Sequence, residues 1–185
     1  CGIDISKLAP AGAKVHNQAR STSGAVSFME TFSQVTAQIG QNGRRGALMI
    51  SIDCHHPDLM EFIDIKAKPD SVKVTDDFMQ AVKDDKEWVM SFTRPETGET
   101  ITKTARAVDI FNKLCQNNWD WAEPGILFWD RIENWNLLSN NDKFHYAGTN
   151  PCAEEPLPAG GSCLLGSMNL AAFVMDGMFD LDDFC

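Results

Sequence analysis

Thr149-Asn150-Pro151-Cys152-Ala153-Glu154-Glu155-Pro156-Leu157, followed by Gly160-Gly161-Ser162-Cys163-Leu164-Leu165-Gly166-Ser167-Met168-Asn169-Leu170, sets an amide, a thiol and a carboxylate at alternate positions, with a second thiol further on. In an extended chain residues i, i+2 and i+4 share a face, so Asn150, Cys152 and Glu154 are expected to converge on one small volume. A thiol and a general base aimed at one ligand is an arrangement for chemistry. Taken alone, a cysteine is more often a small core hydrophobe and a glutamate among prolines is more often solvated, so spacing leaves both readings open.

Outward from this stretch, the chain alternates helical and strand-like patterns. Ala25, Phe28, Met29, Phe32, Val35 and Ile39 recur at helical steps, giving a helix with one buried face that stops at Gly40-Gln41-Asn42-Gly43. Ala47 to Ile52 is an apolar run suited to a buried strand, and Pro57 opens a helix through Leu59, Phe62 and Ile63. Thr75 before Asp76-Asp77 caps another helix. Glu87 to Thr93 is expected to be a strand, turned by Pro95-Glu96-Thr97-Gly98; a helix follows from Thr104 to about Trp121, then a strand from Ile126 to Trp129. The alternation predicts an α/β fold.

The formal net charge of −10 argues against a partner as polyanionic as nucleic acid, and 43% hydrophobic residues suit a globular core. No apolar run is long enough to span a bilayer, and Cys1-Gly2-Ile3-Asp4 lacks the pattern of a secretory signal, so a cytoplasmic location is expected. The six cysteines show no zinc-like spacing. Cys54-His55-His56 is expected not to bind metal, because neighbours in a strand point to opposite faces. Cys115 on a helical stripe and Trp119, Trp121, Trp129 and Trp135 are expected in the core. Without an initiator Met, and with a helix start at Asp180 to Cys185, residues 1–185 read as a fragment truncated at both ends.

Asn150-Pro151-Cys152-Ala153-Glu154 resembles the Asn-x-Cys-x-Glu finger loop of ribonucleotide reductase large subunits, and Cys163 to Leu170 is similar to that family's redox-cysteine strand. The resemblance runs upstream in family order through Gly2-Ile3-Asp4-Ile5-Ser6-Lys7-Leu8, Ser23-Gly24-Ala25-Val26-Ser27-Phe28-Met29, Gly43-Arg44-Arg45-Gly46-Ala47, His56-Pro57-Asp58 and Val74-Thr75-Asp76-Asp77-Phe78-Met79. Pro151 makes it most like the adenosylcobalamin-dependent branch; the alternative is a radical supplied by a separate di-metal subunit.

The resemblance implies a partial catalytic domain, part of a ten-stranded α/β barrel with a central finger loop, that reduces ribonucleotides to deoxyribonucleotides by thiyl-radical chemistry. Cys152 would carry the radical, Glu154 act as general base, and Asn150 hold the ribose hydroxyls, with Pro151 and Ala153 completing the substrate loop. Cys163 would be half of a reducing dithiol whose other half lies upstream of Cys1, which itself stands in the wrong context. Lys7, Gly43, Arg44, Arg45 and Gly46 would belong to loops answering a deoxynucleotide or ATP effector. A thioredoxin-like reductant and a homodimer of the full-length chain are further implied, and the 185-residue piece is expected to be inactive alone. The rival reading is a noncatalytic nucleotide-binding regulatory module derived from the same fold, which would need none of Asn150, Cys152, Glu154 and Cys163.

Overall fold

The computed structural model describes residues 1–15, 19–39, 43, 46–65 and 70–185. In chain order its elements are β1 (Gly2–Asp4), α1 (Phe28–Gln38), β2 (Met49–Asp53), α2 (Leu59–Asp64), β3 (Asp70–Val74), α3 (Asp76–Lys83), β4 (Glu87–Thr93), β5 (Thr100–Arg106), α4 (Ala107–Trp121), β6 (Gly125–Phe128), α5 (Trp129–Asn134), β7 (Tyr146–Thr149) and β8 (Pro156–Pro158). A 3-10 turn (Leu170–Phe173), the short pair β9 (Val174–Met175) and β10 (Met178–Phe179), and α6 (Leu181–Phe184) follow.

Four parallel strands in the order β1-β2-β3-β6 form the central sheet. It is an open α/β sheet, a partial barrel that does not close on itself among the described residues. Its two faces are chemically opposed because strand side chains alternate. Ile5, Ile50, Ile52, Val72 and Val74 join Met29, Leu59, Phe62, Phe78, Ile110 and Leu114 from the helices in one buried apolar cluster. The opposite face carries Gly2, Asp4, Ser51, Ser71 and Lys73. Buried polar residues need partners there; Asp4, Ser51 and Lys73 find them in one another and, through the Ala147 carbonyl, in the β7–β8 hairpin.

Most expected elements form. Thr75 caps α3 through its hydroxyl, which accepts from the Phe78 N–H at 3.1 Å. Others differ. The helix expected from Thr104 starts at Ala107, because Thr100–Arg106 is the second strand of a hairpin with β4. In α4 the buried stripe is Ala107, Ile110 and Leu114, which turns Cys115 to solvent. In α1 Met29 is buried whereas Val35 and Ile39 are exposed. Trp119, Trp121 and Trp135 are also exposed; the buried tryptophan is Trp88, whose indole N–H donates to the Cys54 carbonyl at 2.8 Å.

The segment His56-Pro57-Asp58 organises the loop after β1. Asp58 is fully buried, and its carboxylate accepts from the N–H groups of Ala11 and Ala25 at 3.0 Å. His56 Nδ1 accepts from the Asp58 N–H, so Nε2 carries the proton and donates to the Leu8 carbonyl at 2.9 Å. A Cβ on Gly24 would lie 2.6 Å from the Asp58 carboxylate, and the φ of +96° at this position suits glycine. Asp58→Ala strands two buried N–H groups at ~1–3 kcal/mol each, and Asp58→Asn, which keeps an acceptor, costs less. Denaturant unfolding of both variants checks the order and size of these losses.

Candidate functional site

The finger loop is the turn of a hairpin. Strands β7 and β8 pair antiparallel, with Gly148 opposite Leu157 and Thr149 opposite Pro156, and residues 150–155 connect them. The Asn150 N–H donates to the Glu155 carbonyl at 3.1 Å, and the Glu155 N–H donates back to the Asn150 side-chain oxygen at 3.0 Å. The Ala153 N–H donates to the Asn150 carbonyl at 3.0 Å, with Ala153 in the left-handed region at φ 65°. Asn150 thus closes the loop with both its backbone and its side chain, leaving its NH2 group free in chemistry to donate outward.

This turn corrects the expected convergence. Alternation holds only in an extended chain, and the left-handed residue at Ala153 breaks it. Asn150 and Pro151 line a cavity of about 530 Å³ together with Cys1, Gly2 and Cys163. Ala153 and Glu154 line a second one, about 620 Å³, with Phe128, Arg131, Trp135 and Tyr146. Cys152 is exposed at the tip between them.

Cys163 returns to the loop although it stands in no strand. Residues Gly161 to Asn169 are irregular, with Leu164 and Leu165 exposed; no described strand offers them a ladder, and unpaired backbone groups stay in solvent. The thiol of Cys163 lies against the Glu155 carboxylate. That hydrogen-bonding contact, with burial and the negative charges of Glu155 and Glu154 adding, holds the thiol above its ordinary pKa.

The hairpin is seated on the polar face of the sheet. A Cβ on Gly2 would overlap the Thr149 carbonyl, so β1 begins where only glycine lets β7 approach. Lys73, almost wholly buried, pairs with Asp4 at 2.7 Å, donates to the Ala147 carbonyl at 3.4 Å and sits 4.5 Å from the centre of the Trp129 ring. Asp4 also accepts from the hydroxyls of Ser51 and Ser6. Neither Lys73 nor Asp4 stood out in the sequence, although Ser71-Val72-Lys73-Val74 does alternate polar with apolar.

Of the residues expected to answer an effector, the structure describes Lys7, Gly43 and Gly46. Lys7 follows the C-terminal end of β1, whereas Gly46 precedes the N-terminal end of β2, which runs parallel to β1 and in register with it. Gly43 has φ 82°, and Gly46 packs on the Thr36 backbone. Arg44 and Arg45 lie outside the described residues. Cys54 and His55 depart from expectation too: β2 ends at Asp53, and the turn after it brings the thiol and the imidazole together instead of splaying them. No described helix is long and apolar enough to cross a membrane.

The chain thus sets an open parallel α/β sheet beneath a cysteine-tipped hairpin seated on its polar face. The family model described as ribonucleotide reductase, barrel domain, matches residues 1–185, and the chain belongs to that family. A Mycobacterium tuberculosis protein named vitamin B12-dependent ribonucleoside-diphosphate reductase is 34% identical over 190 residues, covering 98% of this chain and 27% of the relative. One of the same name from Thermoplasma acidophilum is 37% identical over 185 residues, covering 95% and 23%. A vitamin B12-dependent ribonucleotide reductase of Streptomyces avermitilis is 28% identical over 207 residues, covering 95% and 21%. The chain therefore spans roughly a quarter of the length of these curated relatives.

Lys73→Met, which removes one partner of a buried ion pair, is expected to lower stability by about 3–5 kcal/mol because Asp4 is left charged and unpaired. It is also expected to speed amide hydrogen exchange in the hairpin more than in α3. Unfolding midpoints and residue-resolved exchange check the two parts separately.

Proposed function

We propose that the full-length protein containing this segment reduces ribonucleotides to deoxyribonucleotides, with Cys152 bearing the thiyl radical. The observation that carries the reading is Cys152 exposed at the tip of a family finger loop, with Glu154 in one adjoining cavity and Cys163 in the other. A regulatory module would need none of these residues.

Cys152 takes the hydrogen atom from C3′ of the ribose, a step that asks for a radical about as reactive as the bond it attacks. Glu154 accepts the 3′-hydroxyl proton while the 2′-hydroxyl, protonated by the reducing dithiol, leaves as water, and Cys152 returns its hydrogen atom to C3′ at the end of the cycle. The Asn150 NH2 group donates to a ribose oxygen, its own carbonyl oxygen being engaged by Glu155. Two electrons come from a dithiol, which becomes a disulfide as water and deoxynucleotide form. Cys163 is one thiol of that pair, with its partner upstream of Cys1, and the Glu155 carboxylate beside it disfavours its thiolate. A thioredoxin-like protein would then reset the disulfide.

The relatives named for vitamin B12 point to adenosylcobalamin, and those named for nucleoside diphosphates point to diphosphate substrates. When bound, the cofactor would supply the radical chemistry that makes Cys152 a thiyl. The exposed tip leaves that thiol open to a bulky group, while the two cavities are of nucleotide size, so the corrin would be held chiefly by chain beyond this segment. A radical delivered by a separate di-metal subunit is the alternative source. Lys7, Gly43, Arg44, Arg45 and Gly46 are proposed to belong to loops that respond to a deoxynucleotide or ATP effector, acting in a cytoplasmic homodimer.

In the full-length protein, Cys152→Ser is expected to abolish deoxynucleotide formation and leave nucleotide affinity nearly unchanged; turnover by the purified variant would remove Cys152 from the radical role. Glu154→Gln is expected to lower kcat by on the order of 10² to 10⁴ with little change in substrate Kd. Single-turnover assays with equilibrium binding separate the two effects, and weakened binding with normal kcat would make Glu154 a binding residue only.

A further inference from the structure

We infer that Asp53, Cys54 and His55 form a binding site for one thiophilic divalent cation of the zinc class, at the end of β2 and away from the finger loop. The three ligand atoms lie within 4.8 Å of one another: an Asp53 carboxylate oxygen, Cys54 Sγ and a His55 ring nitrogen. The cause is a tight turn. The His55 N–H donates to Asp53 Oδ1 at 2.8 Å, which swings the ring back over the strand end and leaves Nδ1 2.7 Å from the same oxygen and 3.7 Å from Cys54 Sγ.

These separations fit a tetrahedral ion. Zinc bonds of about 2.3 Å to sulfur and 2.0–2.1 Å to nitrogen place the two ligand atoms about 3.6 Å apart at the tetrahedral angle. The thiol and imidazole already stand at that spacing. The carboxylate must move back by roughly 0.7 Å to reach the ~3.4 Å such an ion requires between oxygen and nitrogen. Asp53 can make this move because its side chain is one-third exposed, and the cation takes the place of the proton that now bridges Asp53 and His55.

The frame around the turn is rigid. Cys54 donates its N–H to the Lys73 carbonyl in β3, its own carbonyl accepts from Trp88, and the His55 carbonyl accepts from the Ser91 N–H at 2.7 Å. The His55 ring packs on Trp88 with centroids 4.6 Å apart. Thr75 Oγ1, 4.0 Å from Cys54 Sγ, is placed to support a thiolate. His56 is excluded as a ligand, because both its ring nitrogens are committed to Asp58 and Leu8. A cavity of about 240 Å³ opens over Asp53 and His55, lined also by Ser6, Ser91 and Phe92, and offers the fourth position to water or a small anion. A thiolate and an imidazole select zinc, cobalt or cadmium over magnesium or calcium.

The test uses the reduced, cobalamin-free full-length protein titrated anaerobically with Co²⁺. Wild type is expected to bind one more Co²⁺ than Cys54→Ser or His55→Gln, to show a thiolate-to-cobalt absorption band that both variants lack, and to lose the band on adding Zn²⁺. Magnesium is expected to leave it intact. Each variant is expected to weaken Co²⁺ binding by at least about 100-fold, at or above the loss typical of outer-shell changes. His55→Gln, at a half-exposed position, guards against a fold defect from replacing the buried Cys54. Equal stoichiometry and equal absorption in wild type and His55→Gln would overturn the inference, and so would a cobalt band that survives Cys54→Ser.

Discussion

An ammonium and a carboxylate held 2.7 Å apart and almost out of water join the first strand of the sheet to the third, and the hairpin depends on what they leave over. Lys73 has three N–H groups. Asp4 takes one, the Ala147 carbonyl another, and the Trp129 ring faces the charge from the side. A sheet face built from Ile or Val would bury more apolar area, but it would offer β7 no donor. Here the strands give up hydrophobic burial on one side so that a polar strand can be bound there. The buried apolar cluster on the other face carries the stability that permits this.

The apolar side was the more legible in the sequence. Helices α3 and α4 and strands β2 and β4 announce themselves through periodicity and through Thr75 as a cap, because burial on one side imposes a repeat. Strand β5 was hidden: Thr100-Ile101-Thr102-Lys103-Thr104-Ala105-Arg106 is mostly exposed and runs straight into α4, so its end passes for a helix start. The exposed tryptophans mislead in the same way, since composition cannot say which apolar groups other parts of a longer chain will cover. The relatives are longer than residues 1–185, and Trp135 and Leu165 stand exposed in this chain.

At the site, the family motif was legible and its geometry was not. The identities of Asn150, Cys152, Glu154 and Cys163 carry the family likeness, whereas the six-residue turn is set by hydrogen bonds between backbone and the Asn150 side chain that no spacing rule reveals. Asn150 therefore has a second occupation: the group expected to meet substrate also determines whether the loop has a shape at all. The same limit hid Asp58 and Lys73, whose partners lie far away in sequence.

The order of elements along the chain has a consequence for biogenesis. All four strands of the sheet, and both residues of the Lys73–Asp4 pair, precede Tyr146, so a growing polypeptide leaves the ribosome with the platform complete before the hairpin exists. The thiol at its tip emerges after that platform, so the hairpin meets a polar surface whose Lys73 donor is already in place to receive it.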